Sequence, residues 1–259
     1  MFLINISLGS VSIPMKDVFN SLTGGHASKE TWHYIILNYR LPKAIAAILV
    51  GMGLSISGLL MQTLFRNPLA GPYVLGLSSG ASLGVAIVIL GAALLPPFLA
   101  TFLVSYVGIV LASSLGSFAV LLAVLAVSHR LRDTMAILIV GLMFGSLTSA
   151  IVGTLTYFST AEQLQKFTFW SLGNLGNLSW TAIALLSSCV VIGLLFSLFS
   201  IKPLNALLLG ENYAKSLGLN YKKSRIIIIL ATSILAGSIT AFAGPIAFIG
   251  LAVPHIAKL

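Results

Sequence analysis

The sequence predicts an all-α, polytopic transmembrane helical bundle, and three observations carry that prediction. Charged residues make up 7% of the 259-residue chain and hydrophobic ones 58%, with a mean hydropathy of +1.07, whereas soluble domains carry roughly 25% charged residues. The uncharged stretches 44–65, 67–128, 134–161, 167–201 and 226–257 are each longer than the ~20 residues with which a helix crosses the hydrocarbon core. They also lack the roughly ten-residue alternation of a membrane β-barrel, and backbone groups in lipid must be satisfied within the segment, which leaves helices.

Seven spans are expected, near 44–65, 73–94, 98–127, 134–157, 180–200, 226–242 and 245–257, within one transmembrane domain covering 1–259. Ahead of them, Phe2-Leu3-Ile4-Asn5-Ile6 is too short to cross and follows no basic region, so it reads as the tail of an earlier helix rather than a signal peptide. The last span meets the end of the sequence at Val253–Leu259, and the chain is expected to be an internal portion of a longer one.

Between the first two spans, Asn67 is expected to cap and Pro68 to start a short helix that Gly71-Pro72 breaks, making a tight elbow. Beyond it Gly76, Gly80 and Gly84 recur every fourth residue, among Ser78, Ser79, Ala81 and Ser82. Such small-residue stripes let helices approach closely where lipid supplies no hydrophobic drive. Thr134, beside Asp133, is placed to cap the span 134–157. In the basic loop 202–225, Glu211 and Lys215 stand four apart in the favourable order, and Gly218 can stop the helix they begin. That short helix would show Tyr213, Ala214 and Leu217 on an apolar face.

The net charge of +9 is read in such a chain as a topology signal and not as a nucleic-acid footprint. With the loop Gly9–Lys43 outside, Arg66, Arg130, Arg132, Lys202, Lys215, Lys222, Lys223, Arg225 and Lys258 fall inside. Lys16, Lys29, Arg40, Lys43 and Lys166 then fall outside, so the excess lies on the cytoplasmic side.

Several chemistries lose their basis. The expected spans contain no Asp, Glu, Lys or Arg, although proton relays and ion sites are built from such residues; this weighs against the alternative of a secondary transporter or channel. Gly210–Ser216 imitates a phosphate loop but has Ala214 where glycine should precede the lysine, and no strand leads into it. Cys189 is the only cysteine, so neither an intrachain disulfide nor a cysteine metal cluster can form. Gly76-Leu77-Ser78-Ser79-Gly80 matches a nucleophile turn, and with His255 it would permit an intramembrane serine hydrolase. Outside a strand-turn-helix context that pattern is weak.

Four stretches in this order, "YRLPKAIAAILVG", "MQTLFRNPLAGPYVLGLSSGASLG", "LLLGENYAKSLGL" and "GPIAFIGLAVPHIAKL", resemble the FecCD-type permease subunits of ABC importers for iron chelates, haem and cobalamin. The resemblance implies ten helices per subunit, about seven of them present here. It implies a bacterial inner-membrane protein moving an iron-siderophore or related metal chelate, paired with a second permease subunit. Its other partners would be two cytoplasmic ATPase subunits, which use ATP and Mg, and an extracytoplasmic binding protein; this chain itself would bind no cofactor. By the same resemblance, Gly210, Glu211, Tyr213, Ala214, Leu217 and Gly218 match the ATPase-coupling segment. Arg40 and Lys43 match the basic positions that meet the binding protein, although lysine at 43 lacks the bidentate fork. Thr134 matches a position near the gate, and Thr148 and Ser149 on the same span are candidates for the pathway.

Overall fold

The computed structural model describes residues 2–92, 96–130, 134–257 and 259. Among these it forms α1 (Phe2–Ser7), α2 (Met15–Leu22), α3 (Glu30–Ile35), α4 (Leu41–Phe65), α5 (Leu77–Ile89), α6 (Pro97–Leu103) and α7 (Tyr106–Arg130). They are followed by α8 (Thr134–Tyr157), α9 (Ala161–Ser171), α10 (Trp180–Phe199), α11 (Ile201–Leu208), α12 (Glu211–Ser216), α13 (Tyr221–Ala243) and α14 (Ile249–Ile256). The fold is an all-α membrane bundle, as expected. Among the described residues, five helical stretches are long and apolar enough to cross a membrane: Glu30–Phe65, Tyr106–Val124, Ala136–Tyr157, Trp180–Phe199 and Tyr221–Ala243.

The core sits around α13, which packs against α4, α7 and α10. Leu54 and Met61 of α4, Leu186 of α10, and Ile228, Leu235 and Ile239 of α13 are fully buried together. At the contacts, carbon is removed to let backbones meet. A methyl added at Gly80 of α5 would stand 2.5 Å from the Gly116 carbonyl oxygen of α7, and one at Gly84 would stand 2.1 Å from that of Ala112. At Gly58 of α4 it would fall 1.7 Å from the Gly250 oxygen of α14. In lipid, where burying apolar surface gains little, such close van der Waals approach holds helices together.

Three expected spans differ. The span 73–94 is replaced by a 3₁₀ turn over Pro72–Leu75, a left-handed Gly76 with φ of 75°, and α5; its last two positions lie outside the described residues. Gly76 is therefore the joint before α5, not a member of its helical stripe. At about 1.5 Å per residue the 13-residue α5 is near 20 Å long. It begins close to the middle of α7, where the Ser117 hydroxyl donates to the Leu77 carbonyl (3.0 Å). Non-helical backbone at this depth is tolerated because Ala70, Gly71, Pro72 and Leu75 are buried in protein rather than lipid.

The span 98–127 is broken at Val104-Ser105 into α6 and α7. Ser105 accepts from the Gly108 amide (3.3 Å) and so starts a new helix. The span 245–257 shrinks to the eight residues of α14, because Gly244 with φ of 76° and Pro245 end α13 and the backbone stays non-helical through Phe248, itself at φ 76°. The expected helix at Pro68 is a turn instead: Asn67 Oδ1 accepts from the Leu69 amide (2.9 Å), and its carbonyl from that of Ala70 (3.0 Å).

The stretch 9–43, expected as an outer loop, carries α2 and α3. The π-helical segment Ile36–Arg40 joins α3 to α4 without a break. Buried Ile6, Ile13, Val18 and Ile36 give this region a small core of its own. The Ser28 hydroxyl and amide both donate to Asp17 Oδ1 (2.6 and 2.7 Å), which holds that carboxyl below its usual range. Between α8 and α10, where no element was expected, α9 begins with a reciprocal cap between Thr160 and Gln163.

The packing makes a direct prediction. Gly58→Ala should destabilise the protein by about 1–3 kcal/mol, the usual cost of overpacking. Gly51→Ala in the same helix, where the added methyl meets nothing within 4 Å, should be neutral or stabilising. Thermal melts of both variants in detergent, followed by size-exclusion chromatography, would check the contrast.

Candidate functional site

A cleft of about 420 Å³ opens between α5 and α8. Ser78, Ser79 and Ser82 line one wall, Thr148, Ser149, Val152, Gly153 and Thr156 the other, and Phe167, Ser171 and Pro245 close it. A second hollow of about 490 Å³ shares Ser79 and Ser149 and extends past Gly76, Gly141, Gly145 and Ser146 to Tyr73. Gly141 makes the approach of α8 feasible: a methyl there would stand 2.3 Å from the Val74 oxygen, whereas one on Gly145 would meet Ser79 Oγ at 3.4 Å, about an ordinary contact.

The residues lining both hollows carry no charge. Thr148 donates to the Gly145 carbonyl (2.9 Å), Ser146 to that of Leu142 (3.1 Å), and Thr156 to that of Val152. A hydroxyl that donates back along its own helix keeps its acceptor lone pairs. The α8 wall is thus weakly polar and wettable, and it offers acceptors rather than a fixed charge. Thr148 is buried and Ser149 exposed; both face the cleft. Thr134 opens α8, but its side chain lies outside the described residues. Beside the cleft, α9 carries an ion pair between Glu162 and Lys166 (2.8 Å), which holds the glutamate carboxyl below its usual range.

At the basic end of the bundle the predicted helix is α12, Glu211–Ser216, with Leu217 just past its end; the Glu211 side chain lies outside the described residues. Gly210 (φ 123°) and Gly218 (φ 80°) flank it in conformations that favour glycine. Before it stands α11, an element not foreseen. Ala214 is fully buried and belongs to the core, so it leaves the expected apolar face. The exposed apolar surface is Leu208, Leu209, Tyr213 and Leu217, each more than half exposed.

The Arg66 guanidinium crosses to this region. Its Nε and Nη2 donate to the Leu207 carbonyl (3.2 and 2.5 Å), and Nη2 also reaches that of Leu208 (3.4 Å). Counting charge by side of the membrane missed this contact; an arginine set just past a helix end is the signal that could have found it.

At the opposite end Arg40 and Lys43 diverge. Arg40 donates to the carbonyls of Ile6 (2.7 Å) and Ser7 (2.8 Å) and to that of Val11, so its guanidinium fastens the N-terminal segment. Lys43 is exposed. Ser78 and His255 are not brought together around one hollow: His255 is exposed at the end of α14 and is absent from the residues lining the Ser78 cleft.

The FecCD transport family model matches residues 1–259. The hemin transport system permease protein HmuU of Yersinia pestis is 36% identical over 254 residues, covering 98% of this chain and 73% of the relative. The vitamin B12 import system permease protein BtuC of Klebsiella pneumoniae is 36% identical over 225 residues, covering 86% and 65% respectively. Among solved structures, an inward-facing metal-chelate type ABC transporter superposes with a TM-score of 0.81 at 28% identity, covering 99% of this chain and 76% of that one. These relatives are transport permeases rather than enzymes. With a family match along its whole length and a bundle that superposes on a solved transporter, the chain belongs to the FecCD transport family.

Proposed function

We propose that this permease subunit of an ABC importer moves an iron-siderophore or related metal chelate such as hemin inward across a bacterial inner membrane. The observation that carries the reading is the uncharged, hydroxyl-lined cleft between α5 and α8. Its walls can wet a large polar chelate without fixing it, and they provide none of the ionisable groups on which ion-coupled transport runs. Energy would come from two ATPase subunits using ATP and Mg, seated on the apolar surface of α11 and α12. A second copy of the chain would face the cleft, and Thr134, Thr148 and Ser149 would line or gate the path. A binding protein would dock at the end bearing Lys43. The hemin permease among the relatives supports hemin as the first cargo to test. Uptake of hemin, a ferric siderophore and cobalamin by the full-length permease, reconstituted with its ATPase and binding protein, would decide among them.

Three variants test the parts. Ser78→Ala should leave uptake within about twofold of wild type, since alanine suits close helix approach equally well; complete loss of a peptidase activity in that variant would revive a nucleophilic serine. Leu217→Asp should reduce copurification of the ATPase, because it places a charge at the centre of an apolar contact. Lys43→Glu should weaken binding-protein association at low salt and lose that effect at high salt, where exposed charges are screened within about 3 Å at 1 M. Surface plasmon resonance on nanodiscs at two ionic strengths measures the last, and equal affinities for variant and wild type at low salt would remove Lys43 from docking.

A further inference from the structure

We propose that Arg66 is a positioning residue that ties the coupling segment to α4, so that movement imposed on α11 and α12 is delivered to α4 and on to α14. The inference rests on the reading of α11 and α12 as the ATPase contact.

The turn that ends α4 is a Schellman motif. The Arg66 amide donates to the Thr63 carbonyl (3.3 Å) and the Asn67 amide to that of Gln62 (3.1 Å). Arg66 takes the left-handed position, φ 50°, that glycine usually fills. A non-glycine residue is disfavoured there, and here its side chain is what bridges. The Leu207 carbonyl at the end of α11 accepts from the Gly210 amide (3.1 Å), and the guanidinium adds charged donors to it and to the Leu208 carbonyl, where a cation is favoured at a helix C-terminus. The same group comes close to the segment's glycine hinge: a methyl on Gly210 would stand 3.6 Å from Arg66 Nη2. The bridge thus meets the backbone where α11 passes into α12.

From α4 the connection continues. Gln62, one turn before Arg66, donates from Nε2 to the Leu251 carbonyl of α14 (3.1 Å). Gly58, one turn further back, meets the Gly250 backbone with no side chain between. Three successive turns of one continuous helix therefore grip the coupling segment at one level and α14 at two others. Close-packed helices transmit displacement because they resist compression.

Arg66→Gly separates this function from folding, since glycine fits the left-handed turn better than arginine does while the bridge is lost. The measurement is hydrogen exchange, read by mass spectrometry, of the full-length permease in complex with its ATPase, with and without trapping by ATP and vanadate. In the wild type, trapping should change exchange in 207–216 and in 62–67 together. In Arg66→Gly the change in 207–216 should persist while that in 62–67 falls by at least about tenfold, since even one charge-assisted hydrogen bond is worth that much and the contacts to two carbonyls are lost. A change in 62–67 that survives in Arg66→Gly overturns the proposal and leaves the coupling surface standing. No change in 207–216 of the wild type overturns the coupling reading itself. Should Arg66→Gly fail to assemble, Arg66→Lys, which keeps the charge and loses the fork, carries the same comparison. A wild type whose 62–67 ignores trapping refutes the bridge without any variant.

Discussion

Backbone-to-backbone contact is the constraint on which this bundle depends. Once a chain is in lipid, burying a leucine against another leucine gains little over burying it against acyl chains, so helices associate by approaching closely. Gly80 and Gly84 against α7, Gly58 against Gly250 of α14, and Gly141 against the Val74 carbonyl are the places where that approach occurs. They determine where α5 stands, how near α8 comes to it, and hence the width of the hydroxyl-lined cleft. Larger side chains at these positions would push the walls apart.

The cleft is chemically bland, and the blandness has a physical use. Were the cleft the path of a large chelate, as proposed, any contact strong enough to hold the cargo would become a trap. Neutral hydroxyls whose protons are already committed to their own helix, as in Thr148, Ser146 and Thr156, present acceptors without a strong field. On that reading recognition would be left to whatever delivers the cargo, and the permease would supply a path.

Much of this was legible in the sequence. Hydropathy and the scarcity of charge gave the class, and four of the seven expected spans match helices to within a few residues. The spacing of Gly80 and Gly84 marked the packed face of α5. The misses share a cause: averaging over a window hides single residues that redirect a chain. Ser105 caps α7 in the midst of an apolar run, and Gly76 takes a left-handed turn within what reads as a helical repeat. Treating arginines as topology markers likewise overlooked that a guanidinium has five donors to place. Arg40 places its hydrogen bonds on the N-terminal segment and Arg66 on α11. Neither partner is near in sequence, so periodicity could not have revealed it. Ala214 was assigned to an exposed face, whereas it is fully buried within the main core.

The uncharged lining has one more consequence, which concerns voltage. A membrane potential acts on an elementary charge with about 2.3 kcal/mol per 100 mV, and it can do work on a protein only through charges that move within the field. The walls of the cleft offer none. If the cleft is the path, movement of its walls would be electrically silent, and a dependence of that step on potential would report the net charge of the cargo itself. The cleft would then serve as an electrometer for whatever passes through it.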